Sequence, residues 1–71
     1  MKQISQEEAN KIIEQGKKEM KQIIEDGGKV TKTTIKEKNK TTIITKIEPV
    51  DGKPTSSKIV TTKDGITIEY L

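Results

Sequence analysis

The sequence contains no cysteine, histidine, arginine, phenylalanine or tryptophan. Each absence closes a class of structure or chemistry. Without cysteine there is no disulfide staple, and without cysteine or histidine no ordinary zinc site. Histidine is also the commonest acid–base group near neutral pH. Without arginine there is no guanidinium fork for bidentate contacts to phosphate, carboxylate or a guanine edge. Tyr70 is the whole aromatic inventory, which leaves little for stacking on bases. No apolar run approaches the roughly 18 residues of a membrane span. The opening MKQISQEEANK lacks the apolar centre of a secretory signal, so a cytoplasmic location is expected. Without a secretory route the sequon Asn39-Lys40-Thr41 has no role.

What is present is dominated by Lys, Ile, Thr and Glu, a usage that resembles AT-rich genomes such as those of low-GC Gram-positive bacteria and their phages. The apolar set is twelve Ile, three Val, two Met and one each of Leu, Ala and Tyr. At 28% hydrophobic and 35% charged the composition borders on that of disordered chains, but the apolar residues fall at regular helix and strand periods. Seventy-one residues make one small domain over 1–71. At about 1.5 kcal/mol of ordering cost per residue, a domain of this size comes out near break-even. Either its elements agree closely with one another, or part of its apolar surface is buried in an oligomer or against a partner.

Residues 5–26 read as one amphipathic helix. Ser5 is an N-cap and Glu8 completes a capping box, while Ile4 and Ala9 occupy the positions of a hydrophobic staple. Asp26-Gly27-Gly28 ends it, one glycine taking the left-handed conformation. Ala9, Ile12, Ile13, Gly16, Met20, Ile23 and Ile24 fall in one arc of roughly 120°. Gly16 costs about 1 kcal/mol against alanine inside that stripe. Two readings account for it: close approach of the helix to a sheet, or a second helix packed there in a dimer.

From Lys29 the period becomes two. Strands are expected at 29–38, 41–48, 57–63 and 66–71. A three-residue loop at Lys38-Asn39-Lys40, with Asn39 left-handed, pairs Ile35 with Ile43 and Thr31 with Ile47. Thr33, Ile35, Ile43, Thr45 and Ile47 then share the helix-facing side. A type I′ turn at Asp64-Gly65 pairs Ile59 with Tyr70 and Thr61 with Ile68, carrying Tyr70 into the core. Pro49 and Pro54 bracket a loop between the hairpins. The expected fold is α+β, an N-terminal helix across one face of a four-stranded antiparallel meander.

No arrangement of residues points to catalysis. Ser56 and Ser57 have only Lys58 nearby as a base. The pairs Glu7/Glu8 and Glu25/Asp26 lie at the ends of an exposed helix, the first suited to the helix dipole. Asp51-Gly52 and Asp64-Gly65 lack the spacing of a calcium loop, and Gly27-Gly28 precedes a strand rather than opening a phosphate-binding helix. No cofactor, metal or enzymatic activity is expected.

Charge is unevenly spread. Residues 1–28 hold five Lys and six acids, a net −1; residues 29–71 hold nine Lys and five acids, a net +4. Lys32, Lys36 and Lys46 are expected on the outer sheet face, interleaved with Thr34, Thr42 and Ile44, with Lys38 and Lys40 at the hairpin tip. Such a face could follow a phosphate backbone. It could equally be the solvated side of an open sheet whose lysines guard against edge aggregation.

The last strand is the more open site. As an edge defended only by Glu69, the segment Ile66–Leu71 could accept a strand from a second copy or a partner. Ile66, Ile68, Glu69 and Leu71 are therefore candidate contact residues, with Ile44 and Val60 as an adjoining apolar patch on the outer face. The function expected first is a small non-enzymatic protein-binding inhibitor or regulator. A nucleic-acid-binding accessory protein comes second and a structural or assembly subunit third.

Overall fold

A computed structural model describes residues 2–71. The order is β1 (Lys2–Ile4), α1 (Gln6–Glu25), β2 (Lys29–Lys36), β3 (Lys40–Glu48), β4 (Thr55–Thr62) and β5 (Gly65–Tyr70). The α+β class and the antiparallel sheet are as expected, but the sheet has five strands in the order β1-β5-β4-β3-β2, not four. The added strand is β1, which pairs Lys2 with Ile68, Gln3 with Thr67 and Ile4 with Ile66. The expectation that the last strand is an edge is therefore overturned. β1 covers Ile66–Ile68, and the true edges are β1 and β2.

Helix α1 keeps its punctuation. The Ser5 hydroxyl accepts from the Glu8 amide at 3.1 Å, and the Glu8 carboxylate accepts from the Ser5 amide at 3.3 Å. At the other end, Gly28 N–H donates to the Ile23 carbonyl at 2.8 Å and Gly27 N–H to that of Ile24 at 3.0 Å. These two bonds form a Schellman motif, with Gly27 at φ +93°. A Cβ on Gly28 would lie 2.6 Å from Ile23 Cγ2 and 2.8 Å from the Glu48 carbonyl oxygen, so only glycine fits where the helix turns into β2. Because α1 leaves β1 at one edge and feeds β2 at the other, it must cross the sheet. Twenty residues span about 30 Å, enough for the roughly 19 Å between outer strands.

Both hairpin registers differ from the expected ones. Between β2 and β3, Glu37 N–H donates to the Lys40 carbonyl at 2.8 Å, and Lys36 pairs with Thr41. The connection is thus the two residues Lys38-Asn39, and no described non-glycine residue, Asn39 included, has positive φ. The one-residue change turns β2 over. Val30, opposite Ile47, takes the helix-facing side, while Ile35, opposite Thr42, moves to the outer face and is 44% exposed. Lys32 and Lys36 come to the helix-facing side, where an edge strand lets a lysine cover apolar surface with its stem and keep its amine in water. In the second hairpin Thr62 pairs with Gly65 around Lys63-Asp64, and Gly65, not Asp64, carries the positive φ of +136°. The shift there is two residues, so faces are kept but partners change: Ile59 opposes Ile68, and Tyr70 opposes Ser57.

The core is small. Among the described residues the buried apolar side chains are Ile4, Ala9, Ile66 and Ile68, with Ile12 and Ile59 packed on them. Ala9 is 1% exposed and Ile68 4%. This cluster pins the first half of α1 over β1, β5 and β4, and Ile4 serves it twice, as helix staple and as strand residue. No described helix is long and apolar enough to cross a membrane.

Candidate functional site

The helix is fastened at both ends and raised in the middle. Its N-terminal half rests on the Ile66–Ile68 cluster, and Ile23 near its C-terminus packs over Gly28. Between these anchors lies an open cavity of about 580 Å³. Its roof is α1 around Ile12, Gly16 and Met20; its floor is the sheet around Ile43, Ile47 and Ile59.

The sequence explains why the middle is open. One row of the sheet beneath the helix reads Lys32, Thr45, Ser57, Tyr70 across four strands. Its two central residues are short, and above them Gly16 has no side chain. Long side chains are present only at the row's ends, where Tyr70 is 74% exposed. The expectation that Tyr70 enters the core is therefore corrected: its partner Ser57 holds it at the rim. A Cβ built on Gly16 meets nothing within 4 Å, so close approach of helix to sheet does not account for that glycine.

The groove is apolar with charged lips. Lys11, Lys17 and Glu19 line it from the helix and Lys32 from the edge strand. Ile24, Val50, Tyr70 and Leu71 are all exposed, and they belong to the end of the molecule where α1 finishes, β3 turns into β4 and β5 stops.

The candidate contact residues read from the sequence are divided by the fold. Ile66 and Ile68 are core residues and cannot meet a partner. Glu69 lies on the outer face, 3.8 Å from its cross-strand neighbour Lys58. Leu71 is exposed, its amide donating to the Ser56 carbonyl at 2.9 Å. Ile44 and Val60 do share the outer face, on adjacent strands, and Ile35 joins them. Thr42 is buried between Ile35 and Val60 in one cross-strand row.

The lysines are divided as well. Lys46 stays on the outer face with Thr42 and Ile44, but Lys32 and Lys36 lie on the opposite side with Thr34. Lys38 and Lys40 remain at the β2–β3 tip, where Lys40 is 3.9 Å from Glu37. A single basic outer face is not formed. Among the described residues no three acidic side chains converge as metal ligands.

The groove itself escaped the sequence. Its floor row depends on the registers of three strand pairs at once, and its one local sign was Gly16 in an apolar stripe. Comparison with family models, with curated proteins and with solved structures finds no match for this chain.

Proposed function

We propose that this chain is a small non-enzymatic binding protein, an inhibitor or regulator that acts by seating an apolar face on a protein partner. The observation that carries the reading is the open groove beneath α1, walled by Ile12, Met20, Ile43, Ile47 and Ile59 in a molecule with four buried apolar residues among those described. An open apolar groove rimmed by polar residues is the kind of surface feature at which ligands and partners bind. Its charged lips supply the polar rim that such interfaces carry. The absence of His, Cys and Arg speaks for binding rather than catalysis.

The test is capture by the immobilised protein, read by mass spectrometry, against Tyr70→Ser and Met20→Gln. Loss of the same captured protein in both variants supports the reading; identical capture by all three removes the groove from it. The nucleic-acid reading ranks below it, since the lysines are split between two faces.

A further inference from the structure

We infer that the groove takes a free long-chain carboxylate, its head group at Lys32 and its chain laid beneath α1 along Ile43 and Ile59. The inference goes beyond the protein-binding reading and does not require it, since a bound chain and a seated partner compete for one surface.

Charge is the first support. Lys11, Lys17 and Lys32 line the groove against Glu19 alone, three ammonium groups to one carboxylate. The ion pairs among the described residues are Lys40–Glu37 and Lys58–Glu69, so none of the three lysines is matched within the described chain. An anion completes such a site, because a hydrogen bond between ammonium and carboxylate is among the stronger ones available.

Layout is the second. The floor holds two parallel rows, and every member of both lines the groove. One row, Lys32-Thr45-Ser57-Tyr70, has an ammonium group at one end and two hydroxyls at its centre. The other, Ile43-Ile59-Ile68, lies two residues along each strand and is apolar throughout. A carboxylate at Lys32 is beside the hydroxyl of Thr45, the cross-strand neighbour of that lysine. From there a chain passing over Ile43 and Ile59 toward β5 crosses three strand spacings, about 14 Å, which matches the length of a dodecyl chain.

Space is the third. The cavity of about 580 Å³ falls within the roughly 300–1,000 Å³ of small-molecule sites. It opens where Gly16 lies above Thr45 and Ser57, and one missing side chain makes room for a methylene chain, not for the roughly 10 Å of another backbone layer. Nothing within the chain requires glycine there: its φ is not positive and a Cβ built on it meets no atom within 4 Å. Glycine is the poorest helix former after proline. Empty space kept at a cost in helix stability is the trade expected of a binding site.

Titration of the full chain with monomeric dodecanoate tests this. Tyr70, the lone aromatic residue and part of the groove lining, reports through its emission. Saturable binding of one dodecanoate per chain is expected, at least about tenfold tighter than that of the dodecyltrimethylammonium cation. Lys32→Glu, at an exposed position of an edge strand, should weaken dodecanoate at least about tenfold and leave the far-UV spectrum unchanged. Gly16→Leu, which places a side chain in open space, should abolish binding without lowering the urea midpoint. Absence of saturable binding overturns the inference, as does equal affinity for the anion and the cation, or binding by both folded variants that matches wild type. The protein-binding reading is separated by the capture experiment. Capture lost in Tyr70→Ser and Met20→Gln, by a chain that does not bind dodecanoate, keeps that reading and loses the ligand. Dodecanoate binding with identical capture by all three proteins keeps the ligand and removes the groove from that reading.

Discussion

Two glycines in this chain have opposite surroundings. At Gly28 the helix-to-strand junction has no room for a side chain, because the Glu48 carbonyl and the Ile23 side chain already occupy the space. Gly28→Ala should therefore destabilise by about 1–3 kcal/mol, the range for overpacking a fixed backbone. At Gly16 nothing opposes a methyl group, and Gly16→Ala should stabilise the dilute protein by up to about 1 kcal/mol through helix propensity alone. Urea midpoints of the two variants, moving in opposite directions, check both statements. The isoleucines divide in the same way. Ile68→Ala, in the centre of the small core, should cost about 2–5 kcal/mol. Ile24→Ala, on an exposed flank of the helix, should stay within about 0.5 kcal/mol. Equal losses at 68 and 24 would contradict the placement of the core.

Among the elements, α1 is the one whose start, stop and buried stripe could be read from neighbouring residues. Ser5, Glu8, Gly27 and Gly28 act over three or four positions, and such local chemistry survives folding unchanged. Ser5→Ala should cost about 1 kcal/mol of thermal stability, measurable as a lowered Tm by circular dichroism. The strands were harder to register because threonine is nearly neutral between the two faces. With Thr at 31, 33, 34, 41, 42 and 45, sliding β2 by one residue exchanges Ile35 for Val30 at little hydrophobic cost. The deciding factor was the turn, where Lys38-Asn39 closed with two residues rather than three. Strand β1 was invisible for a different reason: three residues with a single isoleucine have no period, and Ile4 was already accounted for as a helix staple. The groove inherits both difficulties, since Lys32, Thr45, Ser57 and Tyr70 meet only in the correct register. Because β1 pairs with β5, Ile4→Asp should speed hydrogen exchange of amides in Ile66–Ile68 and leave the β3–β4 ladder slow.

For the molecule as a whole, shape and charge point the same way. Its radius of gyration is 12.8 Å, against about 11 Å for a compact chain of 71 residues. A helix raised over an unfilled seam accounts for that looseness, and such a shape fits the proposed seating of a protein partner on the groove. The Lys-rich half is less suited to a nucleic acid, because Lys32 and Lys46 face apart. Gel assays should show no stoichiometric shift of duplex DNA at about 0.15 M salt, and a shift that weakens steeply as salt rises would restore the nucleic-acid reading. The meeting of β1 with β5 has a kinetic consequence. The two hairpins join near neighbours, but Gln3 and Asp64, linked by a hydrogen bond, are 61 positions apart. Closing so long a loop is slow compared with forming a hairpin. Strand β1 should therefore zip onto a preformed meander late in folding and be among the first parts to peel away, exposing the edge of β5. In this chain the time during which that edge is open to another strand is set by the rate of closing one three-residue seam.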